Sequence, residues 1–267
     1  MIYFTIGTDT ELFAQDINGY HVALCGKIGG TKDEPEHMQY LPYGFAYQED
    51  NVAVEFNIPP ASDRTNFSAF VRTAFYTIAQ KLEKLGLVIA KDCAVSFDKK
   101  ELTHPNALVF GCEPDYDAWK MVENKKPVCD NPQLRTAGGH IHVGCNEVDM
   151  VTGVQNMDLF LGVPSIILDK SPQSQERRKL YGNPGAMRPK SYGWEYRVLS
   201  NFWVFDQKLI NWVFDATSKA VNYKDKFTKK EAQIIQDCIR NSDTKKAMEL
   251  IKHYKLVMPE GWENATD

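Results

Sequence analysis

The sequence has no CxxC pair, no GxxxxGK[ST] and no GxGxxG, and each absence removes a class of function. Cys25, Cys93, Cys112, Cys129, Cys145 and Cys238 stand singly, which argues against a structural zinc site and a disulfide framework and suits a reducing, cytoplasmic compartment. Without a P-loop or a Rossmann fingerprint, neither of those phosphate cradles is available. The formal net charge of -4 over 267 residues is not the basic surface of a nucleic-acid binder. No apolar run approaches the roughly 20 residues of a membrane span, so no membrane partner is expected. The opening Met1–Gly7 reads as a strand, not a leader. Internal repeats, low-complexity stretches and long linkers are also missing, so a single domain over 1–267 is expected, with a helical part from about residue 204.

What is present suffices for one substantial core, since hydrophobic residues make up 43% of the chain. Strand patterns cover Ile2–Phe13, Tyr20–Cys25, Asn51–Ile58, Leu87–Phe97, Leu108–Gly111, Gly139–Gly144 and Trp194–Leu199. Phe67, Phe70, Val71, Ala74, Ile78 and Leu82 recur at 3–4 spacing and predict a helix over Asn66–Leu85, stopped by a left-handed Gly86. Dense apolar residues predict a second helix over Met157–Leu168, and the chain beyond Val204 reads as about three helical segments. This order favours an α+β fold with helices on one face of a sheet.

Metal-competent side chains recur two apart inside these strands: Asp9 and Glu11, His140 and His142, Glu195 and Arg197, with Glu55 and Asn57 in a fourth. Residues i and i+2 share one face of a strand. Any single pair could be a solvated face, a packed histidine pair or a cross-strand ion pair. Together they predict a polar face that is costly unless something neutralises it. Divalent cations do so, and carboxylates with one imidazole suit Mg²⁺ or Mn²⁺ better than zinc. Arg177, Arg178, Lys179, Arg188, Lys190 and Arg197 form a basic concentration among turn residues, and beside such a face they read as a nucleotide-phosphate clamp on loops.

The motif order "GTDTELF", "VEFNIPP", "RTAGGHIHVG" and "RPKSYGWEYRVLSNFW", from Ile6 to Trp203, resembles the carboxylate–amine ligases (amidoligases) of bacteriophages, relatives of glutamate–cysteine ligase and glutamine synthetase. The resemblance implies a glutamine-synthetase-like, curved, mainly antiparallel sheet with catalytic residues on its concave face and helices on its outer face. It implies Asp9, Glu11, Glu55, His140 and Glu195 as ligands of two or more Mg²⁺ or Mn²⁺ ions. Asp9 departs from the family's usual glutamate. It further implies Arg197 and Arg135 as catalytic arginines, with Arg177, Arg188 and Lys190 beside the phosphates of ATP and Glu113 on the substrate side. The implied reaction phosphorylates a carboxylate with ATP, and an amine then attacks the acyl phosphate. The implied partners are a carboxylate and an amine of a small molecule, a peptide or a protein; oligomeric state is left open, and the compartment would be a host cytoplasm. The alternatives are a guanidino-kinase-like phosphotransferase on the same fold, a zinc hydrolase using His140 and His142, and a non-enzymatic relative.

Overall fold

The computed structural model describes residues 2–108, 115–125 and 129–262. Strands run over Thr5–Gln15 (β1), His21–Val22 (β2), Glu36–His37 (β3), Ala46–Asp50 (β4), Ala53–Asn57 (β5), Val88–Ala90 (β6), Ala94–Ser96 (β7), Tyr116–Asp117 (β8), Val122–Glu123 (β9), Leu134–Thr136 (β10), Gly139–Gly144 (β11), Ala186–Lys190 (β12) and Gly193–Tyr196 (β13). Helices run over Arg64–Glu83 (α1), Met150–Met157 (α2), Val163–Leu168 (α3), Ser174–Leu180 (α4), Gln207–Asn222 (α5), Lys229–Arg240 (α6) and Thr244–Tyr254 (α7). Among the described residues 11 strands form one antiparallel sheet in the order β3-β4-β5-β1-β11-β13-β12-β8-β9, with β2 and β6 on the far end of β1. The α+β architecture expected from the strand and helix order holds.

The period of two along β1 sends Ile6, Leu12 and Ala14 to one side and Gly7, Asp9 and Glu11 to the other. Its neighbours keep the same phase. Thr10 faces Phe56, Leu12 faces Val54, and Ile6 faces Val143, which in turn faces Trp194. These apolar residues are all buried. The helices cover that side: Phe67, Val71, Ala74, Ile78 and Leu82 of α1 are solvent-free, and Trp203, Trp212, Val213 and Ala216 of the C-terminal segment join them in one core. Asp63 caps α1 by accepting from the Asn66 amide at 2.9 Å. Glu231 and Thr228 make a reciprocal box at the start of α6. A second, smaller cluster around Phe13, Val95 and Phe97 closes the far end of the opposite, polar side.

Several boundaries differ from the sequence reading. The long strand expected over Leu87–Phe97 is two short ones with different partners, β6 on β1 and β7 on β10. Leu108 ends a 3₁₀ turn, and the rest of that expected strand lies outside the described residues. The basic segment expected to be mostly loop contains α4 and β12. The second helix starts earlier, at Met150, and runs to Leu168 through a π turn at Asp158–Gly162, where the Val163 amide donates to the Asp158 carbonyl. Pro164 explains the widened turn: it lacks the N–H an unbroken α-helix needs there, and its ring crowds the turn before it. Contrary to the expectation from apolar runs, Met150–Leu168 is long and apolar enough to cross a membrane, but 72% of it is buried inside the protein.

That helix carries a carboxyl in the core. Asp158 has no exposed surface and accepts hydrogen bonds from Trp119 Nε1 at 2.6 Å and Tyr196 Oη at 2.8 Å. Burial, partly offset by these two donors, pushes its pKa up to about 7 from 3.8. A raised acid stabilises the fold while protonated, and its contribution, complete below 3.8, is lost as pH rises through about 7. Asp158→Asn preserves the neutral, hydrogen-bonding shape. Its stability advantage over the wild type should grow by roughly 2–3 kcal/mol between about pH 5 and pH 8 in urea titrations; a constant difference would remove this assignment.

Candidate active site

The polar side of the sheet is assembled by register. Asp9 lies opposite His140 on one side and Asn57 on the other; Glu11 faces Glu55; His142 faces Glu195; and Arg188 faces Glu195 from β12. Gln48 faces Glu55, and Asp50 closes β4 two residues on. Eight residues singled out by sequence (Asp9, Glu11, Glu55, His140, Arg188, Lys190, Glu195 and Arg197) therefore share one sheet face. A cavity of ≈ 380 Å³ opens among them, bounded on the far rim by Gly30, Thr31 and Lys32. That rim is pinned by Glu49, whose carboxylate accepts the amides of Gly26, Ile28 and Gly29 at 2.7, 3.0 and 2.9 Å.

The glycines before His140 have a packing cause. A methyl on Gly138 would collide with the His140 ring, and one on Gly139 would meet the Ser200 carbonyl at 2.5 Å. The Gly138 amide also donates to Glu11 Oε2 at 2.7 Å, fixing that carboxylate in place.

Among the described residues the ligand-type atoms fall into two groups. Asp9, His142 and Glu195 form one; Glu11, Asp50 and Glu55 form the other, with atoms in each group within 4.8 Å of one another. His142 therefore joins the first group, while His140 bridges it, with Nδ1 3.1 Å from Asp9 Oδ1 and 3.6 Å from Glu195 Oε1. His142 Nε2 lies 3.0 Å from Asp9 Oδ2 but is poorly aligned, so this buried nitrogen has no hydrogen-bond partner. The first group is balanced within the protein. Burial opposes ionisation of Asp9, yet His142 and His140 hold it well below the usual carboxylate range. Burial and Asp9 oppose ionisation of Glu195, yet Arg197, His140 and His142 lower it to about 2. Lys190 Nζ at 3.1 Å and Arg188 at 3.3 Å add to this on its second oxygen.

The second group is not balanced. Burial, then repulsion from Asp9, Asp50 and Glu11, pushes Glu55 well above the usual value. Burial and Asp50 raise Glu11, and burial and Asp9 raise Asp50. Three converging carboxylates that resist ionisation are the donor set that a hard divalent cation satisfies. Mg²⁺ or Mn²⁺ fits Glu11, Asp50 and Glu55 by this chemistry.

Two further arginines singled out by the motifs are bound to main-chain carbonyls. Arg177 is buried and donates from Nε, Nη1 and Nη2 to the carbonyls of Ala137, Val198 and Leu199 at 3.0, 3.1 and 2.9 Å. It ties the strand carrying the histidines to the segment after β13. Arg135 donates to the carbonyls of Ala107, Pro132 and Leu134. Both border a smaller neighbouring cavity, and neither lines the one holding Arg188 and Lys190. Glu113 lies outside the described residues. The sequence reading missed Gln48, Asp50 and Asp115. The first two sit two apart in a strand, the same signal that revealed the other pairs.

Residues 131–259 match a family described as "Phage phiEco32-like COOH.NH2 ligase-type 2". That span holds His140, Glu195 and Arg197 and reaches through α7, which the motifs had not covered; Asp9, Glu11 and Glu55 precede it. No curated protein matches the chain. Among solved structures, a bifunctional glutathione synthetase from Pasteurella multocida is similar over 98% of this chain and 47% of its own, at 10% identity and a TM-score of 0.51. This chain thus spans about half of that protein, and the likeness speaks for the fold. A structure described as "Apo GmaS without ligand" aligns over 99% of this chain and 72% of its own, at 12% identity and a TM-score of 0.43. A GmaS/ADP complex aligns over 99% and 73%, at 10% and 0.40.

Millimolar Mn²⁺ or Mg²⁺ should raise the melting temperature of the wild type, by up to about 2.7 kcal/mol of stability at a hundredfold excess over Kd. Glu55→Gln should melt higher than the wild type in EDTA and lose most of the cation response. A Glu55→Gln variant that responds to cation like the wild type would remove Glu55 from the ligand set.

Proposed function

We propose that this chain, which is similar to the phage carboxylate–amine ligases over residues 131–259, is an ATP-dependent ligase that joins a carboxylate to an amine through an acyl phosphate. The observation that supports this reading is the sheet face itself. An acid group that calls for a cation lies beside a second acid group ringed by Arg188, Lys190 and Arg197. Anionic phosphates and a carboxylate can approach one another only where both kinds of charge are arranged in advance.

In this reading the chain's residues take the following parts. Arg188 and Lys190 of β12, paired with Glu195 of β13, meet the nucleotide phosphates. Arg197 stands between Glu195 and Asp115, with Nε 3.5 Å from Asp115 Oδ2, and faces both cavities. It meets the charge that develops on the phosphoryl oxygens during transfer. The nucleoside end takes the third cavity, ≈ 440 Å³, where Gly7 and Gly144 leave the sheet bare beside His142 and Tyr192. Divalent cations bound by the acids would offset phosphate charge and polarise the γ-phosphoryl group. The substrate carboxylate attacks that phosphorus, ADP leaves, and the amine then attacks the acyl carbon and releases phosphate.

The reading is tested by incubating the protein with ATP, Mg²⁺ and pools of amino acids, dicarboxylates and primary amines, following phosphate release and new amides by mass. Amine-dependent amide is the expected product; a stable phosphorylated compound formed without amine would favour a phosphotransferase instead. Glu11→Gln should abolish turnover with the fold intact. Arg197→Ala should lower the rate ~10³-fold or more and nucleotide binding far less; the reverse pattern would count against its role.

A further inference from the structure

We propose that Asp115 is the base of the ligation step: it holds the protonated amine in the smaller cavity and takes its proton. This rests on the ligase reading above and adds to it the group that makes the nucleophile. The smaller cavity, ≈ 90 Å³, shares Glu11, Asp50, His140 and Arg197 with the larger one, so it opens onto the acids from the side away from Arg188 and Lys190. Among the described residues three carboxylates line it: Glu11, Asp50 and Asp115. Glu11 and Asp50 belong to the cation-competent group. Asp115 belongs to neither group, and its ion pair with Arg197 is long, at 3.5 Å.

Asp115 is held where a base would have to be. Its carbonyl accepts the Asn124 amide at 2.8 Å, and the strand it leads into, β8, pairs with β12 through Asp117 and Met187's neighbour Ala186. The following turn is locked by Asp117, which accepts the Trp119 and Lys120 amides at 2.8 and 3.1 Å. Trp119 reaches into the core to Asp158. Gly185 must be bare for this docking, since a methyl there would lie 2.7 Å from the Trp119 ring and its φ is +78°. The carboxylate is thus fixed against the same arginine that the moving phosphoryl group would touch, which sets a bound amine beside the acyl carbon.

The step balances. The ammonium gives one proton to the Asp115 carboxylate. The freed lone pair forms the C–N bond, the C–O bond to phosphate breaks, and the second N–H proton leaves with the departing phosphate.

A primary amine arrives protonated at neutral pH, whereas hydroxylamine is already largely neutral and needs no base. The test compares wild type, Asp115→Asn and Asp115→Glu with ATP, Mg²⁺ and an amino-acid and dicarboxylate pool. The nucleophile is hydroxylamine, ammonium chloride or ethylamine, and hydroxamate and amide are quantified. Asp115→Asn should lose about 10²-fold in amide formation while hydroxamate stays within a few-fold of wild type, and Asp115→Glu should recover part of the loss. Equal losses of hydroxamate and amide would mean that Asp115 only positions Arg197 and would overturn the proposal. Undiminished amide would overturn it directly. Absence of both products from the wild type would instead bring down the ligase reading, and this inference with it.

Discussion

Like charges forced together on one face of a sheet are the constraint that the rest of the structure answers. Register alone makes Asp9, Glu11, Glu55 and Glu195 neighbours, because three strands carry these acids in the same phase of a two-residue repeat. At such spacing, away from water, carboxylates cannot all ionise without cations. One half of the face supplies them from within: His140, His142, Arg188, Lys190 and Arg197 surround Asp9 and Glu195. In the other half, Glu55 accepts from the neutral Gln48 amide at 2.8 Å, and among the described residues no ion pair with it is seen. The same sheet can hold this arrangement only because its reverse side is a dry, helix-covered core of tryptophan, phenylalanine and aliphatic residues.

The acid, imidazole and guanidinium positions were legible because strand periodicity is short-range: Asp9-Thr10-Glu11 or Glu195-Tyr196-Arg197 states in three residues which groups share a side. How the strands divide the groups was not legible, since that depends on pairings across long stretches of chain. Hence the motifs did not say which acids would group together, and they passed over Asp50 and His142, which the register brings into the two groups. Asp50 escaped notice because Gln48-Glu49-Asp50 alternates polar with polar, so the outward Glu49, occupied with the loop amides, hides the pattern.

Arg135 and Arg177 show a different limit. A sequence counts positive charges but does not say what their N–H groups face. Both donate to carbonyls of turns and strand ends, where a guanidinium fork adds to the main-chain pairing. Arg188 and Lys190, by contrast, occupy alternate positions of a strand beside Glu195, and their geometry follows from the same two-residue rule as the acids. The helical tail read correctly as three segments because amphipathic spacing and caps such as Asp206, Thr228 and Asp243 are local signals.

The central place of β1 has a consequence for how the protein comes into being. Asp9 and His140 are separated by 131 residues along the chain, and β13 follows later still. As the chain leaves the ribosome, β1 and β5 can pair early, but β11 and β13 arrive only after more than half of the polypeptide has been made. The acids must therefore spend much of synthesis in water, each with its own hydration shell, and are crowded together only when the last central strands insert. Nascent chains consequently have no organised acid face, and the burial of charge coincides with the most long-range closure of the sheet.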